Sequence, residues 1–408
     1  MRILVAAGGT GGHIYPALAV VRALRSRLAD VEVAWVGGHR GLESSVIPPT
    51  GIELDRLWLR SLRTVELSVA TVVDPLRLGA SFSQATAILV RRRPDAVFTT
   101  GGYVAIPVLT AAAALRVPSL LWEGNTVPGR SVRASARFAS AISVAFGDTC
   151  RVLPNPCFWT GTPIRELPAD RGAARVRLGL PAEARLLLIF GGSQAVRRFN
   201  DAVGSTLDRL VERYHVLHVA GETAYGEALR RREALPAAVR DRYRPFPFLR
   251  DEMADALVAA DLVIGRAGSS TLAECTAAGV PIVVVPYPHA GAHQAANARM
   301  LADAGAAELI ADEDFDGEAL LAAAQLMEDP ERHARMAAAS ATLGRSGAAE
   351  ANAELLFALV QRRRLPTGEA IERIARGAVV AQDAGDDRAV RPSVPGAEDP
   401  AVPGPAAA

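Results

Sequence analysis

Polar side chains that suit a phosphate and a sugar are concentrated between residues 265 and 297. The turn at residues 265–270 follows an apolar run and opens a helix, whose unpaired N–H groups favour an anion. Glu274 lies one turn into that helix, where a carboxylate can accept hydrogen bonds from ribose hydroxyls. Gln294 and Asn297 are three residues apart and share a helix face, so both can reach a polar ligand such as a sugar. Each residue alone also fits an ordinary βαβ unit, whereas the whole set favours a binding site.

A second anion-binding pattern stands near the amino terminus, where glycines at residues 8–12 follow a short apolar strand. The following helix is predicted from about residue 16 to 28, with Pro16 in its first turn. A dinucleotide-binding loop would carry its third glycine where Ile14 stands, so the pattern favours diphosphate binding. His13 lies at the mouth of the loop, where it either shapes the turn or acts as a base or phosphate donor.

The elements that place these residues alternate between strand and helix. This alternation predicts an α/β protein with parallel, doubly wound sheets. Two strand–glycine loop–helix beginnings, at residues 2–13 and 185–194, predict two Rossmann-like domains that face one cleft. Strands are predicted at residues 2–7, 31–36, 52–57, 95–99, 119–122, 141–145, 185–190, 216–220, 244–246, 262–264, 282–285 and 307–309.

Composition excludes several classes of chemistry. The 408 residues are 50% hydrophobic and 22% charged with a net charge of +1, which is typical of a soluble globular protein without affinity for nucleic acid. All 45 basic residues are arginine, so no lysine nucleophile or base is available. Cys150, Cys157 and Cys275 form no C-x-x-C pair, which predicts neither a zinc site nor a disulfide framework and is typical of a reducing compartment. Neither a signal peptide nor a membrane span is predicted.

The acidic run at residues 312–314 has the D-x-D spacing of metal-dependent glycosyltransferases. It lies between a predicted strand and a helix predicted from residue 317 to 327. Acidic residues at that place commonly cap the helix, and we favour capping over metal binding.

Residues 57–93 alternate apolar side chains with arginines. Such a segment either lies on an anionic bilayer surface or packs on the sheet with a solvated basic face. The apolar residues are Leu57, Trp58, Leu59, Leu62, Val72, Val73, Leu76, Leu78 and Phe82, and the arginines are Arg56, Arg60, Arg63, Arg77 and Arg91 to Arg93.

Several motifs together resemble the MurG family of GT-B glycosyltransferases, which transfer N-acetylglucosamine from UDP-N-acetylglucosamine to undecaprenyl-diphospho-muramoyl-pentapeptide, converting lipid I to lipid II. The likeness runs from residue 1 to about 363. The motifs are GGTGGHIYPALAV at residues 8–20, GGYV at 101–104, GTPIR at 161–165, GGSQ at 191–194 and the stretch at 265–297.

The resemblance implies a role for each matching residue. His13 is implied as a candidate base, and catalysis is implied to need neither metal nor cofactor. Donor-binding residues would be Thr10, Gly11, Gly12, Asn125, Arg165, Ser193, Gln194, Phe248, Leu249, Glu274, Gln294 and Asn297. Acceptor-binding residues would be Gly12, His13, Gly102, Tyr103 and Glu123.

The resemblance also implies how the chain is divided and where it acts. Residues 1–161 would form the acceptor- and membrane-facing domain, and residues 162–346 the domain that binds the UDP-sugar. Residues 347–365 would form a helix returning toward the first domain, and residues 366–408 a low-complexity, disordered tail. The protein would act peripherally at the cytoplasmic face of the cell membrane, with an anionic membrane surface as partner.

Three departures affect the acceptor side, and a fourth follows the donor-side GGSQ motif. Where the family usually reads His-Glu-Gln-Asn, this chain has Trp122-Glu123-Gly124-Asn125. Val132 replaces an asparagine usual after the Pro-Gly pair, and Ala195 replaces the glycine after GGSQ. Three alternatives therefore stay open: a UDP-N-acetylglucosamine 2-epimerase, a transferase to another acceptor, and a catalytically silent scaffold that binds nucleotide sugar.

Overall fold

The computed structural model describes residues 1–39, 41–59, 69–154, 156–191, 197–250, 252–288 and 292–377, and at residues 69–78 and 292 only the backbone. Within these ranges the strands form two sheets, and all strand pairs are parallel. The prediction of a two-domain, doubly wound α/β fold is confirmed.

The first sheet has the strand order β3-β2-β1-β4-β5-β6-β7. Its strands are β1 (Arg2–Ala6), β2 (Glu32–Gly38), β3 (Glu53–Leu57), β4 (Ala96–Thr99), β5 (Ser119–Glu123), β6 (Ala141–Val144) and β7 (Cys157–Trp159). Its helices are α1 (Gly11–Arg27), α2 (Glu43–Val46), α3 (Val69–Arg92), α4 (Ala105–Ala114) and α5 (Arg130–Ser135). The strand order reverses between β1 and β4, and ligands bind at the carboxyl ends of strands at such a point.

The second sheet repeats this arrangement with the order β10-β9-β8-β11-β12-β13. Its strands are β8 (Leu186–Phe190), β9 (His215–Val219), β10 (Tyr243–Phe246), β11 (Leu262–Gly265), β12 (Ile282–Val284) and β13 (Ala307–Leu309). The helices are α6 (Arg171–Arg177), α7 (Arg197–Arg213), α8 (Tyr225–Ala234), α9 (Ala237–Arg240), α10 (Glu252–Ala259), α11 (Ser269–Ala278), α12 (Ala292–Asp303), α13 (Gly317–Ala324), α14 (Pro330–Leu343), α15 (Ala348–Val360) and α16 (Gly368–Ala375).

The central strands are apolar along their whole length because helices cover both faces of each sheet. Every residue of β4, β8 and β11 is buried. A fully apolar run is the pattern of a parallel strand buried on both sides, and it explains why these strands were predictable.

Helix α1 begins earlier than predicted. It starts at Gly11, so Pro16 lies inside the helix and not in its first turn. Gly9 has φ +94°, a left-handed conformation that glycine tolerates, and it turns the chain directly from β1 into the helix.

Helix α15 lies against the first sheet. The Ser143 hydroxyl in β6 donates to Asn352 Oδ1 at 2.6 Å, and Arg27 in α1 pairs with Glu354 at 2.9 Å. Helix α16 follows inside the segment expected to be a low-complexity tail. The expectation was wrong for this part because Ile371 and Ala375 are fully buried and give the short segment an amphipathic face.

Cys150 and Cys157 form a disulfide with their Cα atoms 5.7 Å apart, contrary to the expectation of no disulfide. Cys150 lies in the 3₁₀ helix Gly147–Val152 and Cys157 begins β7, and only residues 153–156 separate these two elements. The sequence did not predict this disulfide because the two cysteines are seven positions apart and do not form a C-x-x-C motif. Among the described residues, no helix is both long and apolar enough to cross a membrane.

Candidate active site

The glycine loop after β1 leads directly into the amino end of α1. Thr10 is the N-cap residue, and its side chain is exposed and makes no capping hydrogen bond. The N–H groups in the first turn of a helix have no acceptor within the helix. Thr10, Gly11 and Gly12 therefore lie where a diphosphate could be bound by backbone amides and the positive end of the helix dipole.

His13 is held in one tautomer by the chain after β4. Its Nδ1 is 2.7 Å from the Thr100 carbonyl oxygen, which can only accept, so Nδ1 carries the proton. The Thr100 hydroxyl in turn donates to the His13 carbonyl oxygen at 2.9 Å. In the neutral ring, Nε2 is then the basic atom, which is the protonation state that a general base requires.

The second glycine loop places Gly102 against His13 and Tyr103 against Glu43. Gly102 has φ +74°, and a side chain there would begin 3.8 Å from His13 Nε2. The Tyr103 hydroxyl donates to Glu43 Oε1 at 3.3 Å. Burial, and then the negative charge of Glu43, raises the pKa of the Tyr103 phenol, so this group stays protonated at neutral pH.

Sequence reasoning missed Thr100 and Glu43. Thr100 is the second of two threonines at the end of β4, and no local pattern distinguishes it. Glu43 is fully buried, and the available signal was the dense set of glycines around it in the sequence, which leaves room for a carboxylate.

The loop after β5 is organised by Glu123. This buried carboxylate accepts from the Asn125 backbone N–H at 2.8 Å and from Asn125 Nδ2 at 3.0 Å, both through Oε1. Its Oε2 accepts from the Gly129 N–H at 3.0 Å. Glu123 therefore shapes the loop at residues 123–129, and its predicted contact with the acceptor stays a prediction.

Helix α12 of the second sheet is joined to that loop. Asn297 is fully buried, and its Oδ1 accepts from both the N–H and the hydroxyl of Thr126 at 3.0 Å. His293 Nδ1 donates to the Val127 carbonyl at 3.1 Å. Gln294, one turn earlier than Asn297, accepts from the Tyr287 N–H at 2.9 Å. The side chains of Gln294 and Asn297, both predicted to bind the sugar, are thus hydrogen-bonded to other residues of the protein in this structure.

Arg165 and Glu274, both predicted to bind the donor, contact each other. Arg165 Nε donates to Glu274 Oε1 at 2.8 Å, and Arg165 Nη1 donates to the Arg250 carbonyl at 2.7 Å. Burial raises the pKa of Glu274, and the positive charge of Arg165 opposes that rise.

The loop predicted to bind the base follows β10. Phe248 is 52% exposed, with the Arg250 guanidinium 5.6 Å from its ring centroid, whereas Leu249 is buried. Ser193 and Gln194, in the GGSQ loop, lie outside the described residues.

The acidic run after β13 does not cap the helix as predicted. Asp316 is the N-cap of α13 and accepts from the Ala319 N–H, since it is the residue directly before the helix. Asp312 instead pairs with the buried Arg266 and with Arg198. Among the described residues, no group of three or more His, Cys, Asp and Glu side chains could hold a metal ion.

Two of the departures on the acceptor side are sterically linked. Trp122 is buried, and its Nε1 donates to the Gly161 carbonyl at 3.0 Å. A side chain at Gly124 would begin 2.6 Å from the Trp122 ring, so the tryptophan requires glycine there. Such a side chain would also begin 3.1 Å from Ser269 Oγ, which places Gly124 against the start of α11.

The third departure lies beside Gly101, in the glycine loop that follows β4. Val132 is buried on α5, and a side chain at Gly101 would begin 2.9 Å from its Cγ2 and 4.0 Å from His13 Cε1. Val132 and the imidazole thus both lie near Gly101.

Family models match both halves of the chain. The glycosyltransferase family 28 N-terminal domain matches residues 3–144, and the glycosyltransferase family 28 C-terminal domain matches residues 186–353. Each match contains one of the two sheets almost completely.

Curated relatives match almost end to end. A protein of Desulforamulus reducens is 37% identical over 359 residues, covering 85% of this chain and 95% of its own length. One of Moorella thermoacetica is 38% identical over 373 residues, covering 88% and 100%. Both are named UDP-N-acetylglucosamine--N-acetylmuramyl-(pentapeptide) pyrophosphoryl-undecaprenol N-acetylglucosamine transferase.

Solved structures agree on the architecture. The MurG crystal structure from Acinetobacter baumannii is 28% identical with a TM-score of 0.69, covering 88% of this chain and 99% of its own. A putative UDP-N-acetylglucosamine 2-epimerase from Listeria monocytogenes has a TM-score of 0.63 at 15% identity, covering 90% and 98%. The second likeness shows the fold alone.

Proposed function

Because the chain belongs to glycosyltransferase family 28, we infer that it transfers N-acetylglucosamine from UDP-N-acetylglucosamine to the 4-hydroxyl of muramic acid in undecaprenyl-diphospho-muramoyl-pentapeptide. This reaction converts lipid I to lipid II in peptidoglycan synthesis. The protein is an enzyme, a hexosyltransferase, and its two substrates are a nucleotide sugar and a polyprenyl-linked acceptor.

One observation carries this proposal, namely the contact between the loop after β5 and the second sheet. Gly124 lies against Ser269 at the start of α11, and Thr126 is bound by Asn297 of α12. The acceptor-side loop of the first sheet is thereby adjacent to the donor-side helices of the second. A transferase needs this adjacency because the hydroxyl must approach the anomeric carbon.

The reaction is a single displacement with inversion. The 4-hydroxyl oxygen bonds to the anomeric carbon as the bond from that carbon to the diphosphate oxygen breaks, and UDP leaves. The hydroxyl proton passes to His13 Nε2, the basic atom of the tautomer fixed by Thr100. The amino end of α11 and the Arg165 guanidinium stabilise the charge that develops on the diphosphate, without a metal.

The donor and acceptor assignments extend the proposal to individual residues. Glu274 accepts hydrogen bonds from the ribose hydroxyls, and Phe248 and the Leu249 backbone bind the uracil. Gln294 and Asn297 hold the sugar, so donor binding requires them to exchange some of their present contacts. The remaining donor residues are Thr10, Gly11, Gly12, Asn125, Ser193 and Gln194, and the acceptor residues are Gly12, His13, Gly102, Tyr103 and Glu123.

We also propose the division of the chain into an acceptor domain at residues 1–161, a donor domain at 162–346 and a returning helix at 347–365. The acceptor domain would rest on the cytoplasmic face of the membrane through the segment at residues 57–93. Trp58 is 50% exposed and supports this assignment. Arg91 and Arg92, however, pair with Asp55, so they add little free positive charge.

Other residues of that segment do not contribute to the membrane argument. Leu57 is buried in the core. Arg60, Leu62 and Arg63 lie outside the described residues, as do the side chains of Val72, Val73, Leu76, Arg77 and Leu78.

The test of the reaction is incubation with labelled UDP-N-acetylglucosamine in EDTA, with and without a lipid I analogue. We expect labelled lipid only when acceptor is present, with no requirement for metal. Conversion to UDP-N-acetylmannosamine without acceptor would instead establish an epimerase. Donor that is bound but unconverted would establish a scaffold or a different acceptor.

The test of the base is His13→Ala. Loss of the only proton acceptor assigned to the hydroxyl should lower kcat by about 10²–10⁴-fold and remove the acidic limb of the pH–rate profile. Affinity for UDP should stay near that of the wild type because the uracil and ribose contacts lie on the second sheet. Nearly full turnover with an unchanged pH profile would make His13 structural.

A further inference from the structure

Glu43 is a carboxylate with no exposed surface, placed outside the residues assigned to either substrate. Its Oε2 accepts from the Gly9 N–H at 2.8 Å, and its Oε1 accepts from the Gly38 N–H at 2.9 Å. The same Oε1 accepts from the Tyr103 hydroxyl at 3.3 Å. One side chain therefore joins the loops that follow β1 and β4 to the end of β2.

The surrounding backbone is shaped to the carboxylate. A side chain at Gly8 or at Gly37 would begin 2.7 Å from an atom of Glu43, and one at Gly41 would begin 2.3 Å away. The glycines thus form a cavity that the glutamate fills. A buried carboxylate is stable only when its oxygens are hydrogen-bonded, as they are here.

The loops after β1 and β4 carry most of the residues assigned to the acceptor, and the loop after β1 also carries Thr10, Gly11 and Gly12, which are assigned to the donor diphosphate. Gly9 turns the chain into α1, which begins with His13 in its first turn. Tyr103 follows the Thr100 carbonyl that fixes the His13 tautomer. Glu43 therefore controls how the amino end of α1, the imidazole and the phenol lie relative to one another.

We propose that Glu43 is a positioning residue for the lipid acceptor, acting through the Gly9 loop and Tyr103. This inference rests on the proposed function, since it concerns the acceptor half of that reaction. Glu43 touches neither substrate. Its effect falls on the acceptor and on the transfer step, whereas the uracil and ribose contacts on the second sheet are independent of it.

The decisive variant is Glu43→Gln, which has nearly the same volume. An amide offers one acceptor oxygen, so its NH₂ group must face either the Gly9 N–H or the Gly38 N–H, and one loop is released. We expect kcat/KM for a lipid I analogue to fall by about tenfold or more. The affinity for uridine, which lacks the diphosphate assigned to residues 10–12, should stay unchanged within about twofold by calorimetry. Glu32→Gln, an exposed residue at the other end of β2, is the matched control and should behave as the wild type.

A second measurement does not depend on activity. Hydrogen–deuterium exchange should be faster at residues 8–12 and 37–42 in Glu43→Gln than in Glu32→Gln, with the second sheet unaffected. If the wild type transfers sugar and Glu43→Gln matches its kinetics, the positioning role is refuted while the function stands. Equal losses of uridine affinity and acceptor kinetics would also refute it, because Glu43 would then support the fold as a whole.

If the wild type transfers no sugar to the lipid analogue, the proposed function fails. The exchange measurement then decides the loop claim alone. Unchanged exchange at residues 8–12 and 37–42 would overturn it, and local acceleration would support it.

Discussion

Glu274 is buried and is paired with Arg165, and these two features shift the pKa of its carboxyl group in opposite directions. Burial raises its pKa above the ordinary value of 4.5, and Arg165 opposes that rise. A carboxyl group whose pKa is higher in the folded state binds more protons folded than unfolded. Its contribution to stability is therefore full below the ordinary value and is lost as pH rises through the folded pKa.

Replacing Glu274 with glutamine should remove this pH dependence. The free energy of unfolding of the wild type, taken relative to Glu274→Gln, should fall as pH rises from about 4.5, because only the wild type must bury a charge. Urea unfolding of both proteins at several pH values between 4 and 7 measures this difference. Parallel stability curves across that range would show that the carboxyl titrates alike in both states.

Individual residues differ in how far the sequence predicts them. Arg165 and Glu274 were recognisable because they stand in motifs, yet their ion pair spans 109 positions and no local pattern encodes it. Glu43 and Gly9 are likewise 34 positions apart. Asp312 was expected at a helix cap, and only the fold shows that Arg266 lies beside it. Long-range polar contacts of this kind depend on topology, which short motifs do not contain.

Helix α12 and the loop at residues 123–129 form a joint between the two sheets. Asn297 supplies an acceptor to two donors of Thr126, and His293 supplies a donor to Val127. Glu123 keeps the loop in the shape that these contacts need. This joint lies between residues assigned to the donor and residues assigned to the acceptor. Loss of its hydrogen bonds should therefore affect the binding of both substrates.

Asn297→Ala should release this loop. Thr126 would lose the acceptor of its N–H and hydroxyl, at a cost of about 1–3 kcal/mol in the free energy of unfolding. Amide exchange at residues 125–129 should also become faster. Arg299→Ala, an exposed position on the same helix, is the control. Unchanged exchange in the Asn297 variant would mean that other contacts hold the loop.

Elements were predicted better than their ends. Apolar runs located the strands of both sheets, because parallel strands buried on both faces contain few polar residues. The three-residue strand β7 was missed, since so short a run has no periodicity. Helix α1 was placed too late because Pro16 looked like a first-turn residue, whereas the glycines before it already adopt the helix.

The two halves of the molecule are tied together by its last helices. Arg345 lies with its guanidinium 3.9 Å from the ring centroid of Trp159 in β7, and it pairs with Glu372 of α16 at 3.3 Å. The Gly347 N–H donates to the Ala375 carbonyl at 2.9 Å. Helix α16 thus covers the junction between the first sheet and the start of α15.

Disrupting α16 should weaken the whole protein. Ile371 is fully buried, so Ile371→Ala should lower the free energy of unfolding by about 2–5 kcal/mol, measured by urea unfolding. Arg373→Ala, on the exposed face of the same helix, should change it by less than about 0.5 kcal/mol. Deletion of residues 384–408 should leave it unchanged. Equal stability of the Ile371 and Arg373 variants would contradict the role assigned to α16.

The contact between Trp122 and Gly124 constrains the order in which this chain could have diverged from its family. With tryptophan already present, any larger residue at position 124 would begin 2.6 Å from the indole ring. Glycine at 124 must therefore arise first or together with the tryptophan, and a reversion must follow the opposite order. The two positions are therefore expected to change together, so a related sequence with tryptophan at the first position should carry glycine at the second.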